Sequence, residues 1–207
     1  RGCGTGGLLM MLREGGYGSL EGVDGSAEQV ALARDRGLDV QEGDAVAMLG
    51  SRQGEFDVIT ATDFLEHLTR DEALTFLQAV HGALGPRGIV ILKVPNSSAP
   101  RGVAYHAADL THEQLYSPHA LMQVLRACGF ESPAFRESGP VPYSLAGVAR
   151  TALWRAMRAG FMFADMVETG GRQQVYTRVV LARSVKSSER VGDRLISRSP
   201  APAGAPI

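Results

Sequence analysis

Arg1-Gly2-Cys3-Gly4-Thr5-Gly6-Gly7 opens the chain and runs straight into the apolar stretch Leu8-Leu9-Met10-Met11-Leu12. Without Cβ atoms, Gly2, Gly4 and Gly6 let the backbone take left-handed dihedrals and let a ligand lie against it. A helix that starts just after such a loop offers unpaired N–H groups to an anionic group. The first expectation is a nucleotide-like ligand. Gly2, Gly4 and Gly7 also satisfy the G-x-G-x-x-G spacing of dinucleotide-binding folds, so the loop by itself leaves the ligand open. Loops of this kind follow a buried strand, and the reading expects that strand ahead of Gly2, central in the sheet, so that the chain reads as N-terminally truncated.

Outward from the loop, residues 19–24 read as a short strand ending on the carboxylate of Asp24, and Ser26 with Gln29 reads as a capping box that opens a helix. A strand over 38–41 ends at Gly43-Asp44. Residues 56–61 form a buried-strand run. Thr69 with Glu72 is a second capping box, starting a helix whose apolar stripe is Ala73, Leu77, Val80 and Leu84 and which Gly85-Pro86 closes. Residues 88–94, Gly-Ile-Val-Ile-Leu-Lys-Val, are near-continuously apolar, the pattern of a parallel strand covered on both faces. The long connection 95–113 carries Tyr105, His106, Asp109, Thr111 and His112, and Thr111 with Gln114 matches one more capping box. Ser117-Pro118 starts a helix that Gly129 follows, and 175–182 is the last strand. Alternating strands and helices predict an α/β, doubly wound, Rossmann-like sheet, mostly parallel with an antiparallel last strand.

The chain has 207 residues, 44% hydrophobic and 21% charged, enough for one sizeable core. The expected organisation is one domain over 1–186, with an apolar and aromatic insertion at about 141–167 and a disordered Ser-, Arg-, Pro- and Ala-rich tail over 187–207. A net charge of −1 gives no strong nucleic-acid signal. Two cysteines, Cys3 and Cys128, make no disulfide framework, and no apolar run reaches membrane-spanning length, which reads as a cytoplasmic protein. The insertion holds Trp154, Phe161 and Phe163 beside Arg150, Arg155 and Arg158. It is read first as packing on the sheet edge, with a lid over an apolar acceptor, a dimer surface and a membrane-skimming helix as alternatives. No oligomeric state is read from it.

Several stretches together resemble the class I S-adenosylmethionine-dependent methyltransferases: Gly-Cys-Gly-Thr-Gly at 2–6, Gly-Val-Asp-Gly-Ser at 22–26, Glu-Gly-Asp-Ala at 42–45, Phe-Asp-Val-Ile-Thr-Ala-Thr-Asp-Phe-Leu-Glu-His-Leu at 56–68 and Leu-Gly-Pro-Arg-Gly at 84–88. Each is common alone; their order and spacing are specific. The resemblance implies S-adenosylmethionine as cofactor. It places Gly2, Cys3, Gly4 and Gly6 under the methionine part, and Asp24, with Gly25 and Ser26, at the ribose hydroxyls. Gly43, Asp44 and Ala45 meet the adenine, and Ala61 and Thr62 line the pocket after the fourth strand. Residues 109–130 look like the type 23 subgroup, many of which act on glycan or lipid-linked substrates, and in which a Thr-His pair lies above the methyl-transfer site.

His112 is accordingly read as a substrate-facing base for a hydroxyl acceptor, and His67 as its catalytic companion. The acceptor is a small molecule, a glycan or a lipid-linked compound, with peripheral membrane contact left open. Asp63, Glu66 and His67 also resemble the acid-x-x-Glu-His cluster of metal-dependent ubiquinone-pathway and small-RNA methyltransferases. Because Leu-Glu-His-Leu is widespread in metal-free relatives, no metal is assigned. Two other readings stay open. One is an NAD-dependent oxidoreductase, weakened because no Tyr-Lys pair at short helical spacing follows; the other is a non-catalytic cofactor-binding domain.

Overall fold

The computed structural model describes residues 2–188. Along them run α1 (Gly7–Glu14), β1 (Gly22–Asp24), α2 (Ala27–Asp35), β2 (Val40–Glu42), α3 (Ala45–Gly50), β3 (Phe56–Thr62), a 3-10 turn (Leu65–His67), α4 (Arg70–Ala83) and β4 (Leu84–Pro95). Then come α5 (Gly102–His106), α6 (Pro118–Ala127), β5 (Phe130–Glu137), α7 (Leu145–Thr169) and β6 (Val179–Lys186). β1 and β2 pair in parallel, as do β3 and β4; β6 runs antiparallel between β4 and β5. The parallel strands and their crossover helices are the α/β class expected, with the antiparallel final strand.

The described strands nevertheless form two sheets, β1-β2 and β3-β4-β6-β5, rather than one. Between β1 and β3 lies an apolar cleft of about 890 Å³ whose walls include Leu8, Leu12 and Val23 on one part and Val58, Thr60 and Ile91 on the other. The core divides in the same way. Leu9, Val30, Ala33, Leu38 and Val40 form a small cluster, and the larger one gathers Phe76, Leu77, Leu92, Leu121 and Phe130. The cleft also corrects the reading of β4 as covered on both faces. Val90, Leu92 and Val94 are fully buried, whereas Ile89 and Ile91 are only half-buried because they face the cleft.

Local chemistry explains most boundaries. In α4, Thr69 Oγ1 accepts from Glu72 N while Glu72 Oε2 accepts from Thr69 N at 2.8 Å, so both halves of the capping box are present. Ala73, Phe76, Leu77, Val80 and Ala83 give α4 its buried stripe; Leu84 already belongs to β4. Replacing Thr69 with alanine removes that cap and costs about 1 kcal/mol, a fall of about 2–4 °C in the midpoint of thermal unfolding. Calorimetry checks it, and an unchanged midpoint would contradict the cap's contribution. At α6, Ser117 caps through Ala120 N, Pro118 supplies a preset φ, and Gly129 at φ 87° turns the chain away.

Other expectations need correction. Ser26 Oγ accepts from Gln29 N, but Ser26 N turns to Asp24 Oδ1 at 2.9 Å, so only half of that box forms. No helix starts at Thr111, whose hydroxyl donates to Asp109 Oδ1 at 2.6 Å in a local turn. The last strand begins at Val179 rather than 175, because Val175 and Tyr176 are buried in the segment leading to it. β5 has no counterpart in the sequence reading. The insertion is the long helix α7, none of whose residues is buried. Of the expected tail, residues 189–207 lie outside the described residues. Among the described residues no helix is long and apolar enough to cross a membrane.

Candidate active site

Parallel strands end on one edge of a sheet, and the loops beyond those ends are where an α/β fold builds its site. β1 ends at Asp24, which is 4% exposed. Its Oδ2 accepts from Gly4 N and its Oδ1 from Ser26 N, both at 2.9 Å. A carboxylate has about four acceptor positions, so Asp24 ties the glycine loop to the strand end and keeps capacity for a ligand hydroxyl. Cys3 N donates to Val23 O at 2.9 Å, which presses the loop onto β1. A Cβ on Gly2 would stand 2.1 Å from that same carbonyl oxygen, so no larger residue fits there. Gly4, at φ 57°, has nothing within 4 Å of its missing Cβ except Gln29 Oε1 at 4.0 Å, leaving an open cradle.

Gly2, Gly4, Asp24, Gly25 and Ser26 line one cavity of about 450 Å³, with Gln29 and Asp63 completing it. Other residues read as cofactor-binding take different places. Cys3, Ala45, Ala61 and Thr62 line the apolar cleft between the sheets. Gly6 precedes α1 in a left-handed conformation, with Leu38 Cδ1 2.2 Å from where its Cβ would stand. Gly43 N donates to Asp24 O at 3.1 Å. Asp44 caps α3 through Ala47 N at 2.8 Å. Burial, and secondly the charge of Asp24, push the Cys3 thiol up, so it stays protonated and packs as a small apolar group.

Asp63 links this cavity to a second group of side chains. It sits at φ 51° just past β3, donates its N–H to Lys93 O and pairs with Lys93 Nζ at 2.5 Å. The 3-10 turn that follows sets Glu66 inward, 1% exposed, and His67 beside it. The carbonyl of Glu66 accepts from Glu113 N and Gln114 N, at 2.7 and 3.1 Å, and so pins the loop that carries His112. His112 Nδ1 lies 2.8 Å from His106 O; a carbonyl only accepts, so Nδ1 donates, and in the neutral ring the lone pair is on Nε2. That Nε2 is 3.9 Å from Glu66 Oε1 and 3.9 Å from Asp109 Oδ2. His67 Nδ1 faces Thr111 O at 3.1 Å and Thr111 Oγ1 at 3.0 Å. The His67 and His106 rings lie 4.7 and 4.6 Å from that of His112.

Burial raises the Glu66 carboxyl above its usual range. Burial, and then the neighbouring His112 and His67, lower His106. Tyr116 is pushed up to about 12 by burial and then by Glu66. The 3-10 turn and the 95–113 connection thus converge at His112. The sequence reading places His112 and His67 here, and the structure brings them together. It does not anticipate His106 as the acceptor for Nδ1, nor the burial of Glu66.

The family model of a methyltransferase domain, type 23, matches residues 1–132. The chain belongs to the class I S-adenosylmethionine-dependent methyltransferases. Solved methyltransferases share its fold. One from Archaeoglobus fulgidus is 20% identical, with 89% of this chain and 83% of that chain covered and a TM-score of 0.64. A possible histamine N-methyltransferase from Thermotoga maritima is 18% identical over 90% of this chain and 80% of that one, with a TM-score of 0.64. Phosphoethanolamine N-methyltransferase 2 from Haemonchus contortus, solved with S-adenosyl-L-methionine, is 14% identical over 90% of this chain and 47% of that one, with a TM-score of 0.59. No curated protein matches the chain. For a methyltransferase, the open cradle at Gly4 and the spare acceptor positions of Asp24 fit the cofactor's amino-acid and ribose parts.

Proposed function

We propose that this methyltransferase transfers the sulfonium methyl group of S-adenosylmethionine to a hydroxyl oxygen of a small-molecule, glycan or lipid-linked acceptor, with His112 as general base. The observation that carries the proposal is the Nδ1 contact of His112 with His106 O, which makes Nδ1 the donor and leaves Nε2 as the ring nitrogen free to take a proton from an acceptor. When bound, the cofactor supplies an already activated methyl group, so the protein's part is alignment, exclusion of water and handling of one proton. As the acceptor hydroxyl takes up that methyl group, its proton would pass to His112 Nε2. The resulting imidazolium is stabilised by Glu66 Oε1 and Asp109 Oδ2, each 3.9 Å away. His67, held against Thr111, supports the same loop.

One observation favours a second reading. Glu66, His67 and His112 each offer a ligand atom within 4.8 Å of the others, and Glu66 Oε2 is buried without a hydrogen-bond partner among the described residues. That donor set suits a divalent ion, which would supply Lewis acidity toward an acceptor oxygen. Transfer of labelled methyl groups to hydroxyl-bearing acceptors, with and without EDTA, separates the two. Ether products that persist in EDTA are the expected result. Activity lost in EDTA and restored by a divalent salt supports the metal reading, and transfer to amines alone overturns oxygen methylation.

A further inference from the structure

α7 touches the body of the domain along one narrow line. Gly147, Thr151, Trp154, Arg158, Phe161 and Asp165 are half-buried, at the three- and four-residue spacing of one helix face. Arg158 pairs with Glu137 at 2.7 Å, and Phe161 stacks on Tyr176 with ring centroids 6.3 Å apart. The opposite face reads Leu145, Ala149, Ala152, Ala156, Ala159, Phe163 and Met166, all exposed, spaced 4-3-4-3-4-3. That is the spacing of a coiled-coil seam, and no charged residue interrupts it. Leu145 is 91% exposed and Phe163 70%, a contiguous apolar surface larger than a solvated helix usually presents.

We propose that this seam pairs α7 with α7 of a second copy of the chain, antiparallel about a two-fold axis near Ala156. The sizes along the seam are self-complementary only in that arrangement. With Ala156 on the axis, Phe163 falls opposite Ala149, and Leu145 falls opposite Val167 and Met166. A parallel pairing would set Phe163 on Phe163 and leave the alanines facing a gap. Alanines at the centre let the two helices approach closely. A helix of this length runs about 37 Å. Two such faces remove on the order of 1,200 Å² in total, the lower bound for a specific interface. Arg155, one residue from the axis on the flank, meets its own copy. Association through this seam therefore strengthens with salt, the opposite of attraction to an anionic membrane.

Sedimentation equilibrium of the full chain tests this. A dimer at micromolar concentration that tightens between low and high salt is expected. Ala156→Glu, which sets two carboxylates at the axis, weakens it at least tenfold while circular dichroism stays unchanged. In mild oxidant, Ala156→Cys gives a covalent dimer, whereas Ala146→Cys, exposed but off the seam, behaves like the wild type with Cys3 and Cys128. A wild-type chain that stays monomeric overturns the proposal. So does a monomer that binds vesicles containing phosphatidylglycerol with an affinity that falls as salt rises, and so does a dimer indifferent to Ala156→Glu.

Discussion

Asp24→Ala lowers the affinity of the chain for S-adenosylhomocysteine about 100-fold, on the order of 2.7 kcal/mol. The carboxylate holds Gly4 N and Ser26 N at 2.9 Å from inside a 4% exposed position, and alanine leaves both N–H groups without that acceptor. Hydrogen bonds to a charged group contribute about 1.5–3 kcal/mol each, and the loop they hold carries left-handed residues that lose their tether. If Asp24 takes the ribose hydroxyls as the resemblance implies, the ligand loses that acceptor at the same time. Asp24→Asn keeps one oxygen but turns an NH2 toward the other donor, so it falls between, at about tenfold. Isothermal titration calorimetry with S-adenosylhomocysteine reads both, and circular dichroism confirms folding. Wild-type affinity in folded Asp24→Ala would remove Asp24 from the cofactor site.

The placing of Asp24 at a strand end was legible in sequence because it follows from local order: a short strand, a carboxylate at its end and a glycine loop before it. The same holds for Thr69 with Glu72 and for Ser117-Pro118, where neighbours within one turn of helix carry the whole signal. β5 was not legible. Ser132 at φ 52° and Pro133 break its alternation, and its register with β6 shifts between Glu131 and Ala134, so its pattern never resembles a strand in one dimension. The 175–182 reading failed at its start for a related reason. Tyr176 is apolar in pattern, yet its side chain is used in packing, with its hydroxyl on Asp165 Oδ2 at 2.7 Å. Asp44 was read as an adenine contact, and what the chain's own contacts show is a cap on α3 that the sequence reading did not name.

The two halves of the site differ likewise. Gly2 and Gly4, and Asp24, Gly25 and Ser26, lie at the two ends of the α1–β1 unit, so their shared cavity could be anticipated from that unit's order. Glu66 on the one hand, and His106 and His112 in the 95–113 connection on the other, come from two segments that meet only in the folded chain. Glu66 reads as an ordinary helix-start carboxylate until the 3-10 turn sets it inward and its carbonyl clamps Glu113 and Gln114. Long-range convergence of this kind has no periodic signature, which is why the burial of Glu66 comes from the structure alone; the His106 carbonyl is six residues from His112, and its use as an acceptor depends on an irregular turn that likewise leaves no pattern.

His112→Ala lowers methyl-transfer turnover by about 10²–10⁴-fold, the usual contribution of a positioned general base, and changes S-adenosylhomocysteine affinity less than twofold. The asymmetry follows from position. His112 belongs to the loop clamped by Glu66, whereas the cavity around Asp24 is built from the glycine loop and the ends of β1 and β3. Single-turnover kinetics and titration of the same preparation check both values. His112→Gln separates base from support, since a glutamine keeps a hydrogen-bonding side chain but has no titrating nitrogen lone pair. Equal loss in His112→Gln and His112→Ala assigns the effect to proton transfer; recovery in His112→Gln assigns it to holding the loop. A matched fall in turnover and cofactor affinity would instead mean that His112 supports the cofactor site. The EDTA experiment divides the remaining case, because a metal ligand and a free base both fail in His112→Ala, and only the ligand also fails when the ion is removed from the wild type.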